Sequence, residues 1–204
     1  MKGVLDFLTD PLKKEARLLR ENFVFKVIPM LNPDGVINGN YRCSLAGCDL
    51  NRRWKNPSKL LHPTIYYTKK LVKQQHEERQ VLMFCDLHGH SRKQNVFMYG
   101  CNRKENPGAT RVLPFLMSKI NPFFCFADSR FGNQKSKEST ARISLFKELR
   151  SVHCIFTMES SFAGVDTGKH AGLHFTAEML GSIGRDLCRS VLAYSNIFIP
   201  EELR

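Results

Sequence analysis

QVLMFCDLHGH, residues 80–90, runs from Val81, Leu82, Met83, Phe84 and Cys85 straight into Asp86, His88 and His90. An apolar run this short, with no 3.6-residue period, reads as a strand buried on both faces, here residues 80–87 and ending at the histidines. Two other runs share its character. FVFKVIPML (23–31) reads as a second covered strand running into the turn signal NPDG, and HCIFTME (153–159) as a third that delivers a carboxylate at its end. Helical spacing surrounds them. Leu5, Leu8, Leu12, Ala16 and Leu19 fit a helix over 4–20 with a break at Asp10-Pro11, and further helices are predicted at 63–79, 111–119, 139–149 and 176–194, with a strand near 123–127. Buried strands alternating with helices mean an α/β fold, with a mixed, mostly parallel sheet flanked by helices. No repeat or linker divides residues 1–204, so a single domain is expected. Ligand sites in such sheets gather at the carboxyl ends of the strands, where NPDG, DLHGH and MESS stand.

Composition narrows the partners. The 204 residues are 42% hydrophobic, enough for one sizeable core, and carry a net charge of +12 that calls for an acidic partner. The basic residues are dispersed and no stacking-aromatic motif accompanies them, which argues against nucleic acid. No apolar run approaches the roughly 18 residues of a membrane span, and the charged N-terminus lacks the apolar stretch of a signal peptide. The seven cysteines are odd in number and form no CxxC pair, so neither a disulfide framework nor a zinc ribbon is suggested. Free thiols point to a reducing compartment, and a soluble intracellular protein is expected.

The polar residues admit two readings each. His88 is either a satisfied core histidine or a metal ligand, with Asp86 two residues earlier on the same strand face to orient it. Glu159, at the end of an apolar strand, should have a raised pKa, as a general base or acid needs. Asn51-Arg52-Arg53-Trp54 is either a solvated loop with one aromatic anchor or a grip for a terminal carboxylate, by guanidinium and amide together. Arg42, in the same long loop (36–59), could supply a cation to a developing oxyanion.

Taken in order, NPDG, an arginine, DLNRRW, DLHGHS with a downstream YG, and FTMESSF resemble the M14 family of zinc metallocarboxypeptidases. FKVIPMLNPDGVINGNYRCSLAGCDLNR, DLHGHSRKQNVFMYGC and QKSKESTAR look like its cytosolic, tubulin-deglutamylating branch, and the resemblance covers almost the whole chain. It implies that His88 is a zinc ligand and Glu159 the catalytic base and acid. It implies also that Arg42 stabilises the oxyanion and that Asn51 and Arg52 hold the substrate's C-terminal carboxylate. Lys135, Lys137 and Arg142 would face an acidic substrate side chain. The implied function is removal of C-terminal glutamates from acidic tails such as those of tubulin, in the cytoplasm and in association with microtubules, centrioles or cilia.

One element of the family pattern is absent. The first two zinc ligands come from an HxxE motif upstream of NPDG, and no HxxE occurs in this sequence. The resemblance therefore implies a partial catalytic domain, N-terminally truncated, with zinc weak or absent and little activity by itself. The alternative is a non-catalytic module that binds acidic tails without metal.

Overall fold

The computed structural model describes all 204 residues. Seven helices and three strands follow in the order α1 (Lys2–Thr9), α2 (Lys14–Asn22), α3 (Pro33–Ile37), α4 (Pro63–Glu78), β1 (Met83–His90), β2 (Val96–Tyr99), α5 (Ala109–Ile120), α6 (Ala141–Glu148), β3 (Cys154–Ser161) and α7 (Ala177–Tyr194), with short 3-10 turns between. No helix is long and apolar enough to cross a membrane. The sheet order is β1-β3-β2, with β3 parallel to β1 and antiparallel to β2. The expected α/β fold with a mixed sheet is what forms.

Side-chain parity explains how the strands divide two cores. Val96, Met98, Cys154, Phe156 and Met158 belong to one apolar cluster with residues of α1, α2, α5 and α7, and Met83, Cys85 and Leu87 pack against it. Residues of opposite parity, Ile155 and Phe84, join a second cluster with Trp54, Ile65, Ala141 and Leu145. Because successive strand residues point to opposite faces, Asp86, His88, Thr157 and Glu159 continue the face begun by Phe84 and Ile155. That face passes from a packed core to a polar site within two residues.

The helix ends follow local chemistry. The Asp10-Pro11 break separates α1 from α2 as expected. NPDG forms more than a turn: Pro33 opens α3, and the Asn32 side chain accepts from Gly35 N at 3.1 Å. Thr176 caps α7 by accepting from Met179 N at 3.2 Å. α1 lies so close to α7 that a Cβ on Gly3 would sit 2.0 Å from the Gly181 carbonyl oxygen.

Three strand expectations need correction. Residues 23–31 form no strand: the chain is extended at Phe23, but nothing in this structure offers it a ladder, and Val24, Ile28 and Met30 are exposed. An apolar run specifies a strand only where a neighbouring strand satisfies its amides. Residues 123–127 are likewise not a strand but a segment with one bridge to Val96, followed by a 3-10 turn at Phe126–Asp128. β1 begins and ends three residues later than read from the sequence, so both histidines lie within it, because its pairing with β3 continues to His90 and Ser161.

Candidate active site

β1 and β3 place His88 directly beside Glu159 in register, and Phe97 of β2 beside Glu159 on its other flank. His88 Nε2 lies 2.7 Å from Asp86 Oδ2, and His88 Nδ1 lies 3.8 Å from Glu159 Oε1. Burial pulls the His88 pKa down, but the hydrogen bond and charge of Asp86, joined by Glu159, outweigh it and leave the imidazole more basic than usual. For Glu159, burial dominates and Asp86 adds to it, so its pKa is raised despite the opposing charges of His88 and Arg42. The carboxyl is 8% exposed at the residue level and walled by Phe97, itself fully buried. A desolvated carboxylate beside an oriented imidazole is a group poised to exchange protons.

The loop over 40–55 is tied to the same place. Arg42, half-exposed, contributes a charge felt by both His88 and Glu159, and its Nε donates to Asp49 Oδ2 at 3.2 Å. Asp49 Oδ1 accepts from Asn51 N at 2.9 Å, and Asn51 Oδ1 accepts from Ala141 N, the first residue of α6, at 3.0 Å. Arg52 donates to Asn51 O at 3.0 Å. Trp54 is 1% exposed and edge-on to Phe84, and its carbonyl accepts from Lys69 Nζ at 2.7 Å and Ser144 Oγ at 3.0 Å. The NRRW stretch is therefore an anchored loop and not a freely solvated one. Its Asn51 amide nitrogen and most of the Arg52 guanidinium remain available.

The basic residues downstream separate into two kinds. Arg142, in the first turn of α6, is 7% exposed, donates to Gly100 O at 2.6 Å and Cys101 Sγ at 3.0 Å, and stands 5.9 Å from the centre of the Tyr99 ring. No carboxylate pairs with it. Lys135 is exposed and Lys137 half-exposed on a 3-10 turn before α6, neither in an ion pair, and no contact places them against His88 or Glu159. His90 accepts at Nδ1 from Arg92 N and Lys93 N (3.2 and 2.9 Å) and stands edge-on to Phe97, so it closes the turn into β2.

Two contributors escaped the sequence reading. Tyr99 lies on the His88 face, and its pKa is raised by burial and by the charge of Glu159. Asp49 links Arg42 to Asn51. The alternation in VFMY (96–99) could have found Phe97 and Tyr99 together; nothing local marks Asp49.

Zinc can be tested against the donors present. His88 has the arrangement of a ligand imidazole, one nitrogen held by a carboxylate and the other directed into the site. A catalytic zinc takes three protein ligands, however, and no cluster of three histidine, cysteine or acidic side chains suited to a metal occurs. These residues alone do not fit the ion.

The chain also resembles known proteins. A family model described as zinc carboxypeptidase matches residues 4–122. Cytosolic carboxypeptidase 2 of Xenopus tropicalis is 48% identical over 198 residues, 95% of this chain and 20% of that protein. Cytosolic carboxypeptidase 1 of Homo sapiens is 45% identical over 218 residues, 99% of this chain and 18% of that protein. The chain thus spans about a fifth of the length of these relatives. Among solved structures, a metallo-carboxypeptidase from Pseudomonas aeruginosa superposes with a TM-score of 0.80 at 23% identity, covering 99% of this chain and 52% of that one. A metallo-carboxypeptidase from Burkholderia cenocepacia gives 0.79 at 20% identity, covering 97% and 52%. At that identity the likeness concerns the fold.

Proposed function

The chain belongs to the zinc carboxypeptidase family, and from that membership we propose that it supplies the substrate grip and proton transfer of a metallocarboxypeptidase acting on acidic C-terminal tails. The observation that carries this reading is the pairing of half-buried His88 with buried Glu159, aligned in register with Arg42 acting on both. Glu159 takes a proton from the attacking water as the water oxygen bonds to the scissile carbonyl carbon. It then returns that proton to the amine as the carbon–nitrogen bond breaks. Arg42 faces the developing oxyanion, and Asn51 with Arg52 holds the terminal carboxylate. Arg142, buried and without a carboxylate partner, is suited to a glutamate side chain, and the net charge of +12 favours an acidic tail such as that of tubulin. Lys135 and Lys137 extend that basic rim. The names of the relatives favour the cytosol, where tubulin tails would bring the protein to microtubules, centrioles or cilia.

Because one imidazole does not make a zinc centre, the 204 residues alone are expected to bind such tails and not to cleave them. This same feature favours a second reading, a non-catalytic module for acidic tails. One experiment tests both: incubate the chain with zinc and a peptide ending in glutamates, following both binding and glutamate release. Binding without release, unchanged by EDTA, is expected. Release abolished by Glu159→Gln would overturn the expectation of inactivity, and absence of binding would sink the grip assigned to Asn51, Arg52 and Arg142.

A further inference from the structure

The loop that carries Asn51 and Arg52 is bonded to the start of α6 at three points. Asn51 Oδ1 accepts from Ala141 N, Trp54 N donates to Ser139 O, and Ser144 Oγ donates to Trp54 O, each at 3.0 Å. These partners lie 90 residues apart in the chain for Asn51 and Ala141. The junction is buried, with Trp54, Ala141 and Ser144 all inaccessible and Lys69 Nζ donating to both Trp54 O and Ser144 Oγ (2.7 and 3.3 Å). Arg142, held by Gly100 O and Cys101 Sγ, stands between Ala141 and Ser144 in the same turn of helix.

A second, independent observation concerns how α6 is capped. Its N-cap residue, Thr140, makes no capping bond, because its hydroxyl donates backwards to Lys137 O at 2.7 Å. The Ala141 N–H is one of the first-turn amides that lack an acceptor within the helix, and Asn51 supplies that acceptor from a distant loop. A carboxamide has one accepting and one donating end. With Oδ1 committed to Ala141, the Nδ2 donor is the end of Asn51 left for a ligand, and the helix amide fixes that choice.

We propose that Ala141 is a positioning residue whose main-chain amide orients Asn51, so that recognition of a terminal carboxylate by Asn51 and of an acidic side chain by Arg142, the next residue of α6, are coupled. The proposal rests on the roles given to Asn51 and Arg142 under the proposed function and deepens them. Both contacts engage the same terminal residue of the substrate. Once its carboxylate is seated, its side chain meets Arg142 at a high effective concentration, provided that Asn51 and Arg142 keep a fixed spacing. The bond from Asn51 to Ala141 fixes that spacing before the ligand arrives, and a loop detached from α6 would have to be ordered at each binding event.

The test measures, by calorimetry, binding of the 204-residue chain to four peptides that end in glutamate or leucine, each as the free acid and as the C-terminal amide. The preference for glutamate over leucine is expected to be about threefold or more greater among the acids than among the amides, the non-additivity of coupled contacts. Ala141→Pro removes the N–H at the first helical position, where proline is accepted, and the preceding Thr140 is already extended at φ −80° and ψ 159°. In that variant the two preferences should become equal, whereas Ala141→Gly, which keeps the N–H, should retain the difference. A merely structural role would lower stability and leave these ratios unchanged in the folded protein. Because Ala141 is buried and a proline there can prevent folding, amide exchange in the parent gives a second readout. The Ala141 amide should exchange about tenfold or more slowly with saturating glutamate acid than with saturating glutamate amide. Equal preferences in the parent, a difference that persists in Ala141→Pro folded by circular dichroism, its loss in Ala141→Gly, or Ala141 exchange indifferent to the carboxylate would each overturn the proposal and leave the separate grips of Asn51 and Arg142 standing. Failure of all four peptides to bind would overturn it together with the reading on which it rests.

Discussion

His88 and Glu159 face one another across the parallel β1–β3 pair, with Nδ1 and Oε1 3.8 Å apart and Asp86 bound to the far nitrogen of the imidazole at 2.7 Å. Register alone sets this relationship. A one-residue slip of β3 would turn Glu159 into the core and bring Met158 or Ser160 to the site.

Glu159→Gln keeps the shape of the side chain and removes a charge that burial disfavours. The unfolding midpoint in urea should stay the same or rise, because no buried partner is stranded without a hydrogen-bonding group. In a full-length, zinc-loaded relative the equivalent change should slow glutamate release about 100- to 10,000-fold with peptide binding retained. A variant that loses binding and stability together would make Glu159 a structural residue.

Arg142→Met strands no carboxylate but leaves the buried Gly100 carbonyl without its donor, so stability should fall by about 1–3 kcal/mol. Affinity for a peptide ending in glutamate should fall tenfold or more, about 1.4 kcal/mol, while a peptide ending in leucine is little affected. Arg142→Lys should not restore it, because an ammonium lacks the planar fork. Equal losses for both peptides in calorimetry would argue against a role in selectivity.

Lys69 anchors the loop that carries Asn51 and Arg52. Its ammonium is nearly buried, donates to Trp54 O and Lys55 O, and lies 2.6 Å from Glu148 Oε1. Lys69→Met should cost about 3 kcal/mol in urea unfolding, the size expected when one member of a largely buried pair is removed. Adding Glu148→Gln should recover part of the loss. Hydrogen exchange at Trp54 and Lys55 should rise in the single variant, and a change below 1 kcal/mol would show the loop to be held without Lys69, by Trp54 and the Asn51–Ala141 and Ser144–Trp54 bonds.

Asn95 holds the loop after β3 against the turn before β2. It is buried at φ 65°, donates to Asp128 Oδ2 and Asp166 Oδ1, and accepts from Asp166 N and Thr167 Oγ1. Asn95→Ala should cost more than Asn95→Gly by about 1–2 kcal/mol, the difference arising from the left-handed backbone. Burial pushes the Asp128 carboxyl up, but its bonds to Asn95 and Cys125 and the Lys93 charge prevail and lower it below 3.8. A lowered carboxylate contributes stability that is present above the unfolded pKa and is lost as pH falls through the folded one. Urea midpoints measured from pH 5 downward should therefore decline less steeply in Asn95→Ala than in the parent. An equal slope would mean that Lys93 and Cys125 alone set the Asp128 pKa.

Much of this was legible in the residues. Helix boundaries followed from spacing and from breakers such as Asp10-Pro11, because amphipathic period and backbone chemistry are local properties. The candidates His88, Glu159, Arg42, Asn51, Arg52 and Arg142 could be named because their motifs recur in a fixed order. The strand over 23–31 could not be judged, since an apolar run contains no information on whether a partner is present to satisfy its amides. Tyr99 and Asp49 were missed for a related reason: their importance lies in what they adjoin.

The sequence by itself determined the α/β class, the helix ends, the basic character and the identity of the residues able to carry chemistry, all of which depend on composition, period and near neighbours. Tertiary structure decided that His88, Glu159 and Arg42 act on one another, that Arg142 is buried without a counter-charge, and that β1 is left with an open edge. Those are matters of register, burial and long-range pairing. They arise only when segments far apart in sequence are brought together, as His88 and Glu159 are here.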